Sequence, residues 1–243
     1  MTLIKHISEY NKIIGIIPEL LNDEVYIVEL SARNKYLSPE ERLSTGLTRT
    51  LMLSRETARS KESINYAIQR LEASLQYRQT DTRQPIPEKS LVIYIGINPS
   101  SMIDAYQNFK KELDAANDKV VKSLLNKNEP DFNPFLKAQS ILMSKIQAGQ
   151  TRKVWVDIDV DTKEPRIINE IKEFLNLENI TYHVVETFGG FHVLVNRSSL
   201  RKGNQLYQTL TNLNTKDAEV CFCKSGLLPL PGTMQSDHLI KFV

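Results

Sequence analysis

The chain has 243 residues, of which 41% are hydrophobic and 25% charged, with a formal net charge of +2. This length suits one large domain or two small ones, and no stretch is long and apolar enough to predict a membrane span or a signal peptide. This near-neutral net charge neither requires nor excludes nucleic-acid binding, because a local basic patch is enough to contact phosphates.

Residues 1–90 are predicted to be largely helical, with one short apolar strand at 25–30. Isoleucines and leucines recur at helical spacing over 2–21 and again over 39–78. The second stretch has a clear helix start, since Ser38 can cap the helix and Pro39 suits its first turn. The many lysines and arginines of 39–78 are interpreted mainly as a solvated helical surface.

The next elements complete an N-terminal half that we assign to residues 1–150. A buried strand is predicted at 91–97 and is ended by the dipeptide Asn98-Pro99. Two helices follow, at 102–126 and at 135–147. This half is therefore expected to combine helical and α/β structure.

The last third, residues 151–243, shows a regular alternation of strands and helices. Apolar periodicity predicts six elements, with strands at 153–160, 180–187, 191–196 and 218–223 and helices at 165–177 and 199–213. Their order is βαββαβ, which is typical of ferredoxin-like and RNA-recognition-like folds. The predicted class is α+β, with this unit packed against the N-terminal half across its open sheet face.

Four polar residues share the open face if helices cover the other face. Strand parity places Asp157, Asp159, His192 and Glu219 together on it. Asp217 has the same parity as Glu219, but it follows a polar turn, so Glu219 is the preferred third acid. Neighbouring carboxylates repel, and a divalent cation with oxygen ligands is the usual compensation.

Each of these residues also has an ordinary structural interpretation. An Asp-x-Asp pair can simply end a strand at a solvated turn, and His192 can be a strand histidine with a satisfied hydrogen bond. Cys221 and Cys223 are expected to be small buried packing residues rather than a disulfide, which favours a reducing cytoplasm. A zinc site is rejected because the cysteines lack two further ligands nearby.

Several short motifs, in the correct order, resemble those of the archaeo-eukaryotic primase superfamily, the primase–polymerases. The segments that carry the resemblance are Asp157-Ile-Asp159, Thr187-Phe-Gly-Gly-Phe-His192, Leu228-Pro-Leu-Pro-Gly-Thr233 and Tyr94-Ile-Gly-Ile-Asn-Pro99. The resemblance covers residues 90–243. The chain departs from the family pattern at Phe188, where a glycine is usual, and at Leu230 and Ser100, where the family often has arginine.

The resemblance implies a primase–polymerase fold and a site that uses two Mg²⁺ or Mn²⁺ ions. It implies Asp157, Asp159 and Glu219 as metal ligands. It also implies triphosphate contacts from His192 and the Thr187 hydroxyl. Further candidates for phosphate or template contact are the backbone at Gly189 and Gly190 and the cations Lys224, Arg33 and Lys35.

The predicted function is therefore a template-dependent nucleotidyltransferase, a DNA primase or polymerase. Two alternatives stay open: a catalytically weak nucleic-acid-binding replication or defence factor, and a metal-dependent phosphodiesterase. The expected partners are nucleoside triphosphates, single-stranded or primed DNA and a separate helicase or replication protein, with no membrane. The expected location is the cytoplasm, and an origin in a phage, plasmid or other mobile element is compatible with it.

Overall fold

The computed structural model describes residues 2–77, 79–80, 82–200, 205–213, 219–223 and 226–243. Over these residues the chain is a mixed α+β protein with antiparallel sheets, which confirms the predicted class. None of the helices within them combines the length and the apolar character needed to cross a membrane.

Three of the described helices begin at a serine whose side chain accepts a backbone hydrogen bond, and the helix start predicted at Ser38 is one of them. Ser38 accepts a hydrogen bond from the Glu41 backbone, and the Glu41 carboxylate accepts one from the Ser38 backbone, so the predicted helix start is confirmed. In the part of the chain that the structure describes, the α-helices are α1 (Ile7–Ile16), α2 (Pro39–Thr45), α3 (Lys61–Ser74), α4 (Met102–Leu125), α5 (Asn133–Leu136), α6 (Ala138–Ala148), α7 (Pro165–Leu177) and α8 (Leu206–Leu213).

The strands pair into two five-stranded sheets and one small hairpin. Across the described ranges they are β1 (Glu24–Ala32), β2 (Leu51–Ala58), β3 (Leu91–Gly96), β4 (Ser100–Ser101), β5 (Trp155–Val160), β6 (Tyr182–Glu186), β7 (Phe191–Asn196), β8 (Val220–Phe222), β9 (Leu227–Pro229), β10 (Met234–Gln235), β11 (His238–Leu239) and β12 (Lys241–Phe242). Strands β10 and β11 form the hairpin.

The first sheet has the order β2-β1-β3-β9, and β4 pairs with the start of β1. β1 is buried along its whole length because both of its faces are covered. Val28 and Leu30 join the main core, which also contains residues of α1 and α3. Val25 and Ile27 instead pack with residues of α4 and α6. The central strand of this half is thus enclosed between two helical layers.

The second sheet has the order β12-β6-β7-β5-β8, and all its neighbouring strands are antiparallel. Its elements follow one another as β5, α7, β6, β7, α8 and β8, which is the predicted βαββαβ order. The first and third strands of the unit, β5 and β7, are adjacent and central, with β8 beside β5. The predicted topology is confirmed.

The two faces of the second sheet are covered by different parts of the chain. Ile158 and Val193 pack with the apolar side chains of α7 and α8. On the other face, Trp155, Val185 and Leu194 belong to the main core together with residues of the N-terminal half. Packing of the N-terminal half across the sheet face opposite α7 and α8 is therefore confirmed, and in the strand register Asp157 pairs with Leu194 and His192 with Val185.

The C-terminal segment returns to the first sheet. β9 pairs with β3, and the Gly232 carbonyl accepts hydrogen bonds from the backbone of Lys5 and His6 at 2.7 and 3.0 Å. Gly232 has φ +89°, and a Cβ there would lie 2.4 Å from the His6 carbonyl oxygen. Residues 227–232 therefore pack with the N-terminal half.

The helical prediction for 39–78 is wrong in its middle, where β2 occupies Leu51–Ala58. Gly46, with φ +70°, ends α2 after seven residues, and the chain then pairs antiparallel with β1. Leu43, expected in a buried helical face, is 77% exposed, because α2 is too short to bury a face. Leucines at 43, 47 and 51 match helical spacing by chance, and tertiary pairing overrides that pattern.

Candidate functional site

The centre of the candidate site is the pair formed by Asp157 and His192 on adjacent strands. His192 Nδ1 lies 3.0 Å from Asp157 Oδ1 and 3.1 Å from Oδ2. An ionised carboxylate only accepts hydrogen bonds, so the histidine proton belongs on Nδ1. The Asp157 side chain is 1% exposed, and this contact compensates for burying its charge.

Asp159 lies on the other side of the histidine ring. Its Oδ1 is 3.7 Å from His192 Nε2, and its side chain is 45% exposed. The register explains this, because Asp159 on β5 is directly opposite His192 on β7. His192 is therefore placed between the two aspartates of the motif, one buried and one open.

The electrostatics of this trio favour a protonated histidine. Burial lowers the pKa of His192, but the Asp157 carboxylate outweighs it, and the net pKa is raised. Burial raises the pKa of Asp159, and the charges of Asp157 and Asp161 add to this, whereas His192 acts in the opposite direction. A further cation near Asp159 would be electrostatically favourable.

A cleft of about 300 Å³ opens beside Asp159, between the two halves of the protein. Both halves contribute to it, and most of its lining side chains are polar or charged. Its lining residues are Arg33, Lys35, Tyr36, Tyr94, Asp159, Asp161, Thr187, Gly189, Gly190, His192, Cys223, Leu227, Pro229 and Gln235. Seven of the ten site residues predicted from sequence thus lie on one cleft.

The cationic side of the cleft comes from the segment that follows β1. Arg33 Nη1 donates a hydrogen bond to the Tyr94 hydroxyl at 2.5 Å, and Arg33 Nε is buried without a partner among the described residues. Burial and Arg33 lower the pKa of Lys35, while Asp161 and Asp159 act in the opposite direction. Two cations and two carboxylates therefore line the same cleft, a combination suited to a phosphate-bearing ligand with a bound cation.

The glycine turn that joins β6 to β7 forms another wall. The backbone N–H and the hydroxyl of Thr187 both donate to the Gly190 carbonyl, at 2.9 and 3.2 Å. A Cβ at Gly190 would lie 1.9 Å from the Val160 carbonyl oxygen, so only glycine fits against β5. The Thr187 hydroxyl, expected to contact triphosphate, is engaged inside the turn.

The third acid of the cleft is not the one that the sequence favours. Glu219 is exposed and lies outside the lining of the cleft, although its backbone carbonyl accepts from Asp161 N at 2.9 Å. Asp161, directly opposite it, does line the cleft. The missed signal was parity, since Asp161 continues the alternation of Asp157 and Asp159 one step beyond the strand. Asp217 and Lys224 lie outside the described residues.

Two segments that resemble family motifs hold the scaffold together. The Asn98 amide donates to the Trp155 carbonyl at 2.8 Å, and its oxygen accepts from Trp155 N at 2.9 Å. Asn98 thereby fixes the start of β5, two residues before Asp157. The Pro-Gly-Thr turn at 231–233 fixes the residues that precede α1, as described for Gly232.

The cysteines differ from the expectation that they are buried packing residues. Cys221 is exposed and Cys223 is half-buried, because β8 is an edge strand of the second sheet. Cys221 is opposite Asp159 in the register, and Cys223 lines the cleft. No disulfide joins these two residues.

The donor chemistry at the cleft suits a hard divalent cation. Asp159 and Asp161 offer carboxylate oxygens, the ligands that Mg²⁺ and Mn²⁺ prefer. Both oxygens of Asp157 are already engaged by His192. Among the described residues, no three His, Cys, Asp or Glu side chains are grouped closely enough to hold a metal ion unaided. A substrate phosphate or water would have to complete the coordination.

Comparison with models of protein families, with curated proteins and with solved structures finds no match for this chain.

Proposed function

We propose that this protein is a template-dependent nucleotidyltransferase of the primase–polymerase type, acting as a DNA primase or polymerase. One observation carries the proposal: His192 lies between Asp157 and Asp159 on a cleft that Arg33 and Lys35 of the N-terminal half also line. The βαββαβ sheet and the order of the motifs that resemble the primase–polymerases support the same assignment. We also propose that the fold is that of the primase–polymerases.

The residues of the cleft divide into three roles. Arg33 and Lys35 attract phosphate groups, of the incoming nucleotide or of the template strand. Asp159 and Asp161 hold the divalent cation, Mg²⁺ or Mn²⁺. His192 is fixed by Asp157 and orients its Nε2 side towards Asp159 and the cleft. When bound, the cation neutralises phosphate charge and assists attack of a strand's 3′-hydroxyl on the nucleotide, with loss of pyrophosphate.

The partners of the proposed reaction follow from its chemistry. Nucleoside triphosphates are the substrates, and single-stranded or primed DNA is the template. Strand separation would require a separate helicase or replication protein, and the reaction is assigned to the cytoplasm.

Primer extension tests the proposal. The protein is incubated with primed template, Mn²⁺ and labelled nucleotides, and the products are separated by size. We expect longer strands that depend on template and metal. Shortened strands would favour the phosphodiesterase alternative, and intact, unextended strands would contradict catalysis.

The hydrogen bonding of Asp157 favours a second candidate function, a nucleic-acid-binding factor with little or no turnover. Its two carboxylate oxygens are bound by His192, and within the described ranges no three-residue metal group is formed. Such a protein would keep Arg33 and Lys35 on the cleft for binding phosphates, but it would lack the ligands needed to hold a catalytic metal ion. For this second candidate, we expect the protein to retain primed template on a gel and not to extend the primer at any Mn²⁺ concentration.

A further inference from the structure

Phe188 is a large apolar side chain left open beside the cleft. It is 42% exposed, and its chain neighbours Thr187 and Gly189 both line the cleft. It occupies the tight turn between β6 and β7. Its ring belongs neither to the main hydrophobic core nor to the core that the second sheet forms with α7 and α8. The exposed ring therefore has no packing role in either core.

The surroundings hold Phe188 in place. Its backbone N–H donates to Gln235 Oε1 at 2.8 Å, and Gln235 is 3% exposed. Its ring packs edge-to-face with Tyr36, with centroids 5.2 Å apart and an interplanar angle of 69°. Tyr36 is only 7% exposed, so the accessible aromatic surface of the pair belongs to Phe188. A fixed ring loses little conformational entropy when a ligand stacks on it.

The charge beside this aromatic pair is positive. Lys35 Nζ lies 5.5 Å from the centre of the Tyr36 ring, and Arg33 lines the same cleft. Cations that follow a phosphate backbone, combined with an aromatic ring that stacks a base, are the means by which proteins bind single strands without sequence preference. An apolar protein partner would not require the cations.

We propose that Phe188 is a stacking platform for an unpaired base of a single-stranded nucleic acid entering the cleft, with Lys35 and Arg33 beside its backbone. The inference rests on the proposed function for the identity of the cleft. It adds a binding residue at a position where the resembled family usually has glycine.

The test measures binding of a labelled oligothymidylate by fluorescence anisotropy, at fixed salt and with a chelator present so that no turnover occurs. An oligomer of equal length made of abasic sugars carries the same phosphates without bases, and an oligouridylate distinguishes RNA from DNA. The variants are Phe188→Ala and Phe188→Tyr. Tyr66→Ala is the matched control, since Tyr66 is 62% exposed on α3 and does not line the cleft.

We expect Phe188→Ala to weaken binding of the oligothymidylate about tenfold, the loss that corresponds to one stacked base. Phe188→Tyr and Tyr66→Ala should bind as the wild type does. On the abasic oligomer, wild type and Phe188→Ala should bind equally, because no base is present to stack. Unchanged binding by Phe188→Ala, an equal loss on the abasic oligomer, or no binding by the wild type would each overturn the inference.

This outcome is separable from that of primer extension. Base-dependent binding through Phe188 without any extension would contradict the proposed function and leave the platform in place. If the Phe188→Ala variant extends primers and also binds oligothymidylate as the wild type does, the stacking role of Phe188 is contradicted and the proposed function is not.

Discussion

His192 holds Asp157 with a single ring nitrogen, Nδ1, which lies 3.0 and 3.1 Å from the two carboxylate oxygens. This contact makes the two aspartates of the Asp-Ile-Asp motif unequal. Asp157 is buried and paired, and its role is to hold the histidine. Asp159, with 45% of its side chain exposed, is the one available to a ligand.

The first prediction follows from this inequality. Asp159→Asn should abolish Mn²⁺ binding while leaving the free energy of unfolding unchanged or slightly higher, because repulsion with Asp157 and Asp161 is relieved. Asp157→Asn should instead lower the free energy of unfolding by about 1–3 kcal/mol, because buried His192 loses its charged partner. Calorimetric titration and urea unfolding of both variants measure this. Equal stabilities for the two variants would contradict the assigned roles.

The second prediction concerns the third acid. Asp161→Asn should lower nucleotide incorporation by about 100-fold, since Asp161 lines the cleft beside Asp159. Glu219→Gln is the matched control and should retain most activity, since Glu219 immediately precedes β8 and contacts Asp161 through its backbone carbonyl. Steady-state extension rates compare the two. The reverse order of effects would restore Glu219 as the third ligand.

The third prediction tests the glycine turn. Gly190→Ala should destabilise the protein by more than about 2 kcal/mol, because the added methyl would lie 1.9 Å from the Val160 carbonyl and β5 cannot easily move. Gly189→Ala should be tolerated better, since its nearest contact is the Asp161 side chain at 3.2 Å. Thermal melting of both variants checks this. Similar melting temperatures would show that the turn can shift away from β5.

The fourth prediction is a pH dependence of stability at the junction between the halves. Hydrogen bonds from Arg152 lower the pKa of Glu24 from 4.5 to about 2, against the effect of burial. A lowered carboxyl pKa stabilises the fold above the unfolded value of 4.5, and this stabilisation is lost as pH falls towards 2. The contribution at neutral pH is about 2–3 kcal/mol.

Urea unfolding at about pH 6 and about pH 3 measures this contribution. The wild type should lose stability between the two conditions, and Glu24→Gln should lose less, because it has no carboxylate to protonate there. An identical loss in both proteins would remove Glu24 as the source of the acid sensitivity.

Much of the second half could be predicted because its signals are local. Alternation along β5 and β7 is enough to place Asp157, Asp159 and His192 on one sheet face. The pairing of Asp157 with His192 also needs the register of the two strands, which parity does not provide. Asp161 shares the parity of Asp157 and Asp159, but it lies one residue beyond the apolar alternation that ends at Val160, so a prediction based on that alternation stops before it.

The first half was harder to predict because its contacts join distant segments. Arg33 forms a hydrogen bond with Tyr94 because β1 pairs with β3, and no periodicity within either segment predicts this contact. The sequence of β2 predicts helix because its centre, with Arg55 and Glu56, is polar enough for a solvated helix. In the structure Arg55 pairs with buried Glu29 on β1 at 2.6 Å, a contact that depends on the sheet.

The central claim is that the cleft beside Asp159 transfers nucleotides, and single-nucleotide incorporation on a primed template tests it most directly. The rate is measured for the wild type and for Asp159→Asn, with Mn²⁺ and with the same protein preparations used for unfolding. The account predicts template-dependent incorporation by the wild type and a rate at least about 100-fold lower for the folded variant. No incorporation by the wild type, or equal rates for the two proteins, would contradict it.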